Sequence, residues 1–338
     1  MKVLVVGGTG FLGGAVAAAA ESAGHAVTVF TRGRARPQLR SNVEALIGDR
    51  YRDLSTLRGR HFDAIVDTCA FSPDAVNALL DCLSPAIGRY VFVSSTSVYA
   101  DFSAPNVDED APTSRASDEQ LTFARSLPID QRSNAASYGD AYGALKREAE
   151  LVALSRLGRR ALICRSGLLV GAGDYTDRLT YWVRRIDVGG TVPLPGEPER
   201  PAQLIDVRDA AGFIVSALER GLDGILNLTG RPFPIADIFE QCREVAGSSA
   251  RFIWVSERQI LAAGLVPWSD VPLWIPKSDA TYRHFLEINT DKAIAAGLRV
   301  RPLRETVENI LLWDRTRRTM PLKAGIPPDR EPMLLAKA

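Results

Sequence analysis

The first 170 residues of the chain alternate between short apolar runs and longer helix-like stretches. Short runs rich in Val, Ile and Leu are typical of strands that are buried on both faces of a parallel sheet. Predicted strands cover Val3–Val6, Val27–Phe30, Val43–Ile47, Ala64–Val66, Tyr90–Val93 and Ala161–Cys164. Predicted helices include Phe11–Ala23, a helix that begins at Pro73, and Ser137–Leu157. Because strands and helices alternate, the pattern predicts an α/β fold with a doubly wound parallel sheet.

The pattern becomes less regular after about residue 170. All five tryptophans lie beyond residue 180, as do most of the prolines. We predict that residues 1–170 form a core to which the chain returns at about 203–230, and that 171–315 mostly form a smaller substrate-binding lobe. Leu303–Arg315 should close this lobe as an amphipathic helix. The remaining tail, 316–338, is Pro-rich and is expected to be loose. For any single Trp, packing in the core of the lobe is a simpler interpretation than a role in the pocket.

Composition narrows the function. The 338 residues are 46% hydrophobic and 24% charged, with a formal net charge of +1, which gives no overall attraction to nucleic acid or to an anionic membrane. No apolar run approaches the roughly 18 residues that span a bilayer, and the N-terminus does not resemble a signal peptide. We therefore expect a cytoplasmic protein with a small-molecule substrate. Four dispersed cysteines and three histidines lack metal-ligand spacing, so we predict free thiols and no metal site.

A glycine-rich stretch with the spacing Gly7-x-x-Gly10-x-x-Gly13 leads from the first predicted strand into the first predicted helix. Gly7 suits a tight turn, Gly10 lets backbone N–H groups approach a pyrophosphate, and Gly13 lets the helix pack closely on the strand. The N-terminus of the helix then presents free N–H groups to the phosphates. This context predicts a dinucleotide-binding site of the Rossmann type. The loop residues expected to contact the dinucleotide are Gly7, Thr9, Gly10, Phe11, Leu12 and Gly13.

The end of the second predicted strand distinguishes the two nicotinamide dinucleotides. An NAD site usually has an Asp or Glu there, which accepts hydrogen bonds from the ribose. This chain has Thr31, Arg32 and Arg34 instead, and a guanidinium can clamp a 2′-phosphate or stack on adenine. The sequence therefore favours NADP(H) over NAD, although surface arginines on a loop would give the same pattern. After the third strand, Asp49 is placed to bind the adenine amino group, with Arg50 stacking nearby.

Tyr142 and Lys146 are four residues apart on a predicted helix, so they share one face. A free tyrosine has a pKa near 10, and a nearby ammonium would lower that pKa towards a useful range for proton transfer. The same lysine could hold the nicotinamide ribose. A hydroxyl run ends the fifth predicted strand, where parallel sheets bind ligands, and one of these groups could donate to a substrate carbonyl oxygen. The candidates are Ser94, Ser95, Thr96 and Ser97.

These segments resemble the extended short-chain dehydrogenase/reductase family, also called the NAD-dependent epimerase/dehydratase family. The matching pieces are Gly7–Gly13, Gly48-Asp49, Ser94–Tyr99, Tyr142-x-x-x-Lys146, Arg165–Gly171 and Ile205–Asp209, and Leu303–Arg315 resembles the closing helix. Aligned on Val98-Tyr99, the resemblance places the catalytic hydroxyl on Ser95, beside Tyr142 and Lys146. It also implies that the cofactor cleft is lined by Thr68, Cys69, Ala70, Ser94 and Ser166. Family members often dimerise through the helix that corresponds to the one with Tyr142, so a homodimer is an open alternative to a monomer.

The chain also departs from the family's nucleotide-sugar enzymes. Those enzymes usually have an Asn where this chain has Leu168, and sugar dehydratases have an Asp-Glu pair where it has Thr96-Ser97. Both differences argue against a nucleotide-sugar substrate. The residues expected to face the substrate are Thr96, Ser97, Leu168, Tyr175 and Arg178, with Asp177, Tyr181 and Trp182 in the same segment. The stretch 115–137 is polar and irregular, and fits either a lid or a solvated loop.

Three functions remain open at this point. The first is an NADP(H)-dependent reductase or dehydrogenase for a small carbonyl or alcohol, in which Tyr142 is the acid/base. The second is a sugar epimerase that retains its NAD, which Arg32 and Leu168 disfavour. The third is a non-catalytic dinucleotide sensor or RNA-binding protein, because the chain is also similar to an atypical branch with chloroplast RNA-binding members. Such a protein would not need the Tyr–Lys–Ser set, and the net charge is unsuited to RNA.

Overall fold

A computed structural model of the chain describes residues 1–33, 43–83 and 87–336. The strands of these segments are β1 (Lys2–Val6), β2 (Ala26–Thr31), β3 (Glu44–Ile47), β4 (Phe62–Asp67), β5 (Ile87–Ser95), β6 (Ala161–Ser166), β7 (Leu169–Val170), β8 (Thr191–Pro195), β9 (Pro201–Ala202), β10 (Ile205–Asp206), β11 (Gly224–Leu228), β12 (Phe233–Pro234) and β13 (Arg251–Val255). The α-helices are α1 (Phe11–Ser22), α2 (Pro73–Leu83), α3 (Asp118–Ser126), α4 (Tyr142–Leu157), α5 (Arg178–Val188), α6 (Val207–Glu219), α7 (Ile235–Ala246), α8 (Glu257–Ala262), α9 (Asp291–Ala295), α10 (Leu303–Arg315) and α11 (Glu331–Leu335).

A seven-stranded parallel sheet forms the centre, with the strand order β11-β6-β5-β4-β1-β2-β3. The order runs outward in both directions from β1 and β4, as expected when successive crossovers wind first one way and then the other. The predicted fold class is therefore confirmed. The predicted strands within it are also present, each with its ends moved by a few residues.

The two faces of the sheet explain why its strands are apolar throughout. Val3 and Val5 of β1 point into one core with α1 and α6, whereas Leu4 and Val6 point into another with α2 and α4. Successive side chains of a strand alternate between faces, so a strand covered by helices on both sides needs apolar residues at every position. The many alanines of α1, including Ala17 and Ala20, let this helix pack closely on the sheet.

A break occurs just before the helix that contains the Tyr–Lys pair. Helix α4 begins at Tyr142, five residues later than predicted, and residues Ala135–Ala141 form a 3-10 segment instead. Gly139 within this segment has φ 49° and ψ −134°, which is incompatible with a continuous α-helix. Tyr142 therefore lies in the first turn of α4 rather than in its interior.

The remaining helices and strands surround a second core beyond the sheet. Helices α5, α7 and α10 pack together, and β8 pairs with β13 beside them. Trp182 and Trp274 are fully buried in this core, and the indole N–H of Trp182 donates to the Pro272 carbonyl at 2.8 Å. Tyr181 is also buried. The expectation that Tyr181 and Trp182 face the pocket is therefore wrong, because their large apolar rings fill the core of the lobe.

Two segments that were expected to be irregular or loose are well structured. Within the stretch 115–137, Ser117 and Gln120 form a reciprocal capping box that starts α3, so this stretch is not irregular. The tail beyond residue 315 is not loose either. Its residue Leu334 is buried, and Glu331 Oε1 lies 2.8 Å from Arg185 Nε on α5. Among the described residues, none of the helices is long and apolar enough to span a membrane.

Candidate active site

The glycine loop connects β1 to α1 through a tight turn. The N–H of Gly7 donates to the Phe30 carbonyl at 3.0 Å, and the N–H of Gly10 donates to the Gly7 carbonyl at 2.9 Å. A Cβ on Gly13 would lie 2.1 Å from the Gly7 oxygen, so a larger residue would push α1 off the loop. Gly10 is the N-cap of α1 and provides no side-chain cap, which leaves the first N–H groups of the helix open to an acceptor. The Phe11 ring reaches the loop after β7, near Gly171.

Beside the loop, the end of β2 carries the residues expected to select the cofactor. Thr9 and Thr31 share a hydrogen bond between their hydroxyls, with the two oxygens 2.9 Å apart. Arg32 follows and is half-buried, and its Nη1 is inaccessible to solvent without a hydrogen-bond partner among the described residues. Arg34, the second arginine of the prediction, lies outside the described residues. Leu12 is buried in the core, so it can offer a dinucleotide only its backbone.

The structure corrects the prediction for Arg50. Its guanidinium is buried and forms two hydrogen bonds to the Asp67 carboxylate, at 2.6 and 2.9 Å, and a third to the Ala75 carbonyl at 2.8 Å. The Tyr90 hydroxyl donates to the same carboxylate at 2.8 Å. Burial raises the pKa of Asp67, but Arg50 and Tyr90 outweigh this effect and hold that pKa below its usual value. Arg50 is therefore engaged inside the protein and is not available to stack on adenine.

This buried ion pair lies next to residues 68–70 after β4, which are called the rim of the candidate cofactor cleft. Asp67 ends β4, and its Oδ1 also accepts from the backbone N–H of Cys69 at 3.3 Å. The Thr68 hydroxyl donates to the Val6 carbonyl at 2.9 Å, which ties the rim to β1. A Cβ on Gly7 would lie 2.7 Å from that hydroxyl and 3.0 Å from the Cys69 sulfur. The rim residues Thr68 and Cys69 are thus in contact with the glycine loop, whereas Asp49 caps its own turn by accepting from the Tyr51 N–H at 2.9 Å.

Tyr142 and Ser95 lie next to each other where α4 meets the end of β5. A Cβ on Gly143 would lie 2.0 Å from the Ser97 carbonyl oxygen, so glycine is needed for α4 to approach the turn that follows Ser95. Burial raises the pKa of Tyr142 to about 12, and the nearby Ser95 side chain opposes that rise. The phenol of Tyr175 adds a smaller electrostatic increase, which places it near the same group. Of the expected catalytic residues, these two are therefore brought together.

Lys146 is placed differently from the prediction. Its ammonium group is buried and donates to the carbonyls of Ala70 at 2.9 Å and Val93 at 2.5 Å. The Phe92 ring centroid lies 4.3 Å from Nζ. Burial lowers the pKa of Lys146 to about 7, although the carboxylates of Asp67 and Glu150 oppose this. The predicted lowering of the Tyr142 pKa by an adjacent ammonium is therefore not found, because burial dominates the pKa of both groups.

The hydroxyls around Ser95 divide into accessible and inaccessible groups. Ser95 Oγ donates to Ser97 Oγ at 3.1 Å, and both residues are half-buried at the cleft. Thr96 is buried, so the prediction that it contacts substrate is wrong. Ser94 Oγ is also shielded from solvent and lacks a partner among the described residues, which argues against direct cofactor contact. Ser166 pairs in register with Ser95 at the end of β6, and its predicted role stays a prediction.

The segment after β7 forms the far wall of the cleft. Leu168 is half-buried against the core of the lobe, and Tyr175 is 61% exposed. The guanidinium carbon of Arg178 lies 5.0 Å from the centroid of the Trp268 ring. Trp268 was not singled out from the sequence. It has φ 71°, an unusual conformation for a bulky residue, and only the folded chain brings it to Arg178.

Metal chemistry finds no support in the described part of the chain. Within residues 1–33, 43–83 and 87–336, no group of three or more His, Cys, Asp or Glu side chains could hold a metal ion. The four cysteines are free thiols, with Cys164 and Cys242 buried.

Residues 3–228 match the sequence profile of the NAD dependent epimerase/dehydratase family. The chain belongs to this family. The match covers the sheet, the glycine loop, Ser95, Tyr142 and Lys146, and it confirms the resemblance inferred from the motifs.

Solved structures with the same fold include several members of this family that are described as epimerases. A putative epimerase from Burkholderia cenocepacia J2315 is 20% identical, with a TM-score of 0.65 and coverage of 94% of this chain and 98% of that one. UDP-glucuronic acid 4-epimerase from Bacillus cereus, in complex with NAD, is 17% identical, with a TM-score of 0.63 and coverage of 94% and 99%. At these identities, the similarity supports the family fold and no more.

A curated relative has a different description. The chloroplast stem-loop binding protein of 41 kDa b from Arabidopsis thaliana is 25% identical over 267 residues. The match covers 73% of this chain and 63% of that protein, so the chain spans less than two thirds of the relative's length.

Proposed function

We propose that this family member is an NADP(H)-dependent reductase or dehydrogenase for a small organic carbonyl or alcohol. The observation that carries the proposal is the position of the Tyr142 phenol. It lies near the Ser95 side chain, at the carboxyl end of β5, where the backbone of Gly143 closely approaches the Ser97 carbonyl. Ligands of open parallel sheets bind at this edge, so the two hydroxyls are placed where a substrate oxygen would meet them.

The residues present fit a dinucleotide. Gly7 and Gly13 allow the tight turn and the close packing of α1, because a Cβ at either position would meet protein atoms at 2.7 Å or less, and the uncapped N-terminus of α1 supplies backbone donors for a pyrophosphate. Thr9 and Thr31 bring further hydroxyls to the same side. When bound, the nicotinamide would supply or accept the hydride.

The preference for NADP(H) over NAD rests on Arg32. No carboxylate follows β2 within the described residues Thr31 to Gly33, and Nη1 of Arg32 is buried there without a partner. A buried, unpaired guanidinium N–H is unfavourable, and a 2′-phosphate would satisfy it with a charge-assisted hydrogen bond. An NAD ribose would instead favour an acidic side chain at this place.

The chain's own groups can move the required proton. Ser95 would donate a hydrogen bond to the carbonyl oxygen, and Tyr142 would give that oxygen its proton. A phenol with a pKa of about 12 stays protonated at neutral pH, which suits the direction of carbonyl reduction. Lys146 fixes the rim at Ala70 and the end of β5 at Val93 through two of its three N–H groups. The third could hold the nicotinamide ribose.

The test compares Tyr142→Phe with the parent on a panel of ketones and aldehydes, following NADPH absorbance. General acid catalysis contributes about a hundredfold to ten-thousandfold, so kcat/KM should fall by that range while NADPH binding persists. Tyr138→Phe is the matched control, because its hydroxyl donates to the Arg132 carbonyl outside the cleft. Equal turnover by Tyr142→Phe and the parent would overturn the proposal.

A sugar epimerase that retains NAD is the second candidate, and the epimerase descriptions of similar structures favour it. Leu168 and Arg32 disfavour it for this chain. Denaturing the purified protein and identifying the released nucleotide separates the two, because stoichiometric NAD would indicate the epimerase. Stem-loop RNA binding, after the Arabidopsis relative, is a third candidate. The net charge of +1 gives it little electrostatic support.

A further inference from the structure

Arg178, the first residue of α5, has an unusual environment for a charged side chain. It is half-buried with its guanidinium over the Trp268 ring. Burial lowers its pKa, which means that part of its hydration has been lost. No carboxylate within the described residues lies within 4.0 Å of it, and no protein acceptor there receives its N–H groups. A cation in such a place is well suited to a ligand anion.

The two carboxylates nearest in sequence are both committed elsewhere. Asp174 is buried and accepts from the backbone N–H of Thr176 at 2.8 Å and from the Thr176 hydroxyl at 2.7 Å. Asp177 accepts from Arg317 Nη1 at 2.6 Å and from the backbone N–H of Lys323 at 3.1 Å. Arg178 is therefore left unpaired because its neighbours serve the turn and the C-terminal segment.

The C-terminal segment brings a second cation to the same place. Because Asp177 holds Arg317 and Lys323, the segment passes over the loop that precedes α5. The Lys323 ammonium lies 5.6 Å from the centroid of the Tyr175 ring and is exposed. Arg178 and Lys323 are thus both associated with the loop before α5, Arg178 as the residue that follows it and Lys323 through the Tyr175 ring and the Asp177 carboxylate.

We propose that Arg178 and Lys323 form an anion-binding subsite at the loop before α5, and that the substrate carries a carboxylate or a phosphate next to an apolar or aromatic body. The Trp268 and Tyr175 rings would contact that body, while the two cations hold the charge. The location of the reacting carbonyl rests on the proposed function, but the subsite itself does not require turnover. The class of substrate is therefore an acidic ketone, aldehyde or alcohol.

The experiment uses ligands that differ in charge but not in shape. Benzoate, benzamide and phenyl phosphate are titrated into the full-length protein, and binding is followed by tryptophan fluorescence, with Trp268→Phe to assign the signal. Titrations are repeated with saturating NADP⁺, which excludes binding at the nucleotide site. We expect benzoate or phenyl phosphate to bind at least about tenfold more tightly than benzamide, as for a charge-assisted pair. The stronger of the two anions identifies the acidic group.

Substitutions of Arg178 and Lys323 test whether these two cations cause the tighter binding of the anion. Arg178→Gln should remove the preference for the anion, and Lys323→Gln should reduce it by a few-fold because that side chain is exposed. Lys292→Gln, on the exposed surface of α9, is the control. Lys323 is exposed, so its variant keeps the test valid if Arg178→Gln does not fold.

The outcomes separate this inference from the proposed function. The subsite would be overturned if neither benzoate nor phenyl phosphate bound more tightly than benzamide, or if the preference survived both Arg178→Gln and Lys323→Gln. If the preference is lost in these variants while Tyr142→Phe turns over carbonyls as the parent does, the subsite stands and the proposed chemistry fails. If neutral carbonyls are reduced with no preference for acidic ones, the chemistry stands and the subsite fails.

Discussion

The proposed cleft has two walls, which are held by different kinds of contact. The cofactor wall is the glycine loop together with Arg50 and the end of β4, and the substrate wall is the segment between β7 and α5. On the cofactor wall, the geometry is fixed by close backbone approaches that only glycine allows, as at Gly13. The buried ion pair between Arg50 and Asp67 adds to it. On the substrate wall, the loop before α5 is held by partly buried pairs to a distant segment, such as Asp177–Arg317, which are 140 residues apart. The first kind of contact is rigid and local to the sheet. The second depends on the C-terminal segment staying in place.

This difference is consistent with separate roles for the two walls. A dinucleotide is the same in every turnover and suits a preformed cradle, whereas a substrate wall that is attached through its ends can adapt to what enters. The comparison also predicts where substitutions act. Changes on the cofactor wall should affect the stability of the whole domain, and changes on the substrate wall should loosen one region.

The largest effect is expected for Arg50→Met on the cofactor wall. The variant leaves the buried Asp67 carboxylate without its cation, and breaking a buried pair in this way costs about 3–5 kcal/mol of unfolding free energy. Urea titration measures the change. Arg60→Met is the matched control, because the Arg60–Glu44 pair is exposed and should contribute less than about 1 kcal/mol. Similar losses in both variants would contradict the assignment of Arg50 to the interior.

Gly13→Ala should come next. Its Cβ would meet the backbone oxygen of Gly7 at 2.1 Å, which neither partner can relieve by rotating a side chain. Overpacking of this kind costs about 1–3 kcal/mol, and NADPH affinity should fall with it because the loop itself must move. Gly14→Ala, one residue later, would meet nothing closer than 3.8 Å and should be neutral or slightly stabilising within the helix. Calorimetric titration with NADPH compares Gly13→Ala with Gly14→Ala, and equal affinities would contradict a role of the glycine loop in binding the dinucleotide.

The same contrast explains what the sequence could predict. The glycine loop, the strands and the hydroxyls at Ser95 and Tyr142 follow from local patterns, and the fold class was correct for that reason. Arg50 and Lys146 were misjudged because their partners are distant in sequence: Asp67 lies in β4, Ala70 in the loop after β4 and Val93 in β5. An Asp that ends an apolar strand, as Asp67 does, was the available signal for a buried cation.

The substrate wall was less predictable still. Trp268 contacts Arg178 and Lys323 contacts Tyr175, although the two residues of each pair are more than 80 positions apart in the sequence. No hydrophobic periodicity or sequence motif predicts contacts of this kind. The C-terminal segment was expected to be loose because it is Pro-rich. It is held by the burial of Ile326 and Leu334 in the second core and by ion pairs with α5 and the preceding loop.

Lys146 gives a pH-dependent prediction of intermediate size. Its pKa is about 7 in the folded chain against an ordinary 10.5, so between these values the unfolded chain holds a proton that the folded chain lacks. Unfolding free energy should therefore rise with pH in this window, by at most about 1.4 kcal/mol per pH unit, and fall again as pH drops towards 7. Lys146→Met lacks this contribution. In urea titrations at pH 7, 8 and 9, the parent should gain stability relative to the variant, and parallel pH profiles would contradict a buried, deprotonating lysine.

The smallest global effect, and the sharpest test of the comparison, is expected for Glu331→Gln. The single Nε–H of Arg185 is shared between the two carboxylate oxygens of Glu331, at 2.8 and 3.0 Å, and this contact ties α11 to α5. Removing its charge should cost only about 1 kcal/mol, because the pair is partly exposed to water. Hydrogen exchange should accelerate in α5 and α11 while the amides of β1 and β4 keep their protection, since the sheet does not depend on this contact. Asp329→Asn, at an exposed pair beside it, should change neither region. If exchange accelerated equally in the sheet, the two walls would form one cooperative unit, and the substrate wall could not adapt independently of the cofactor cradle.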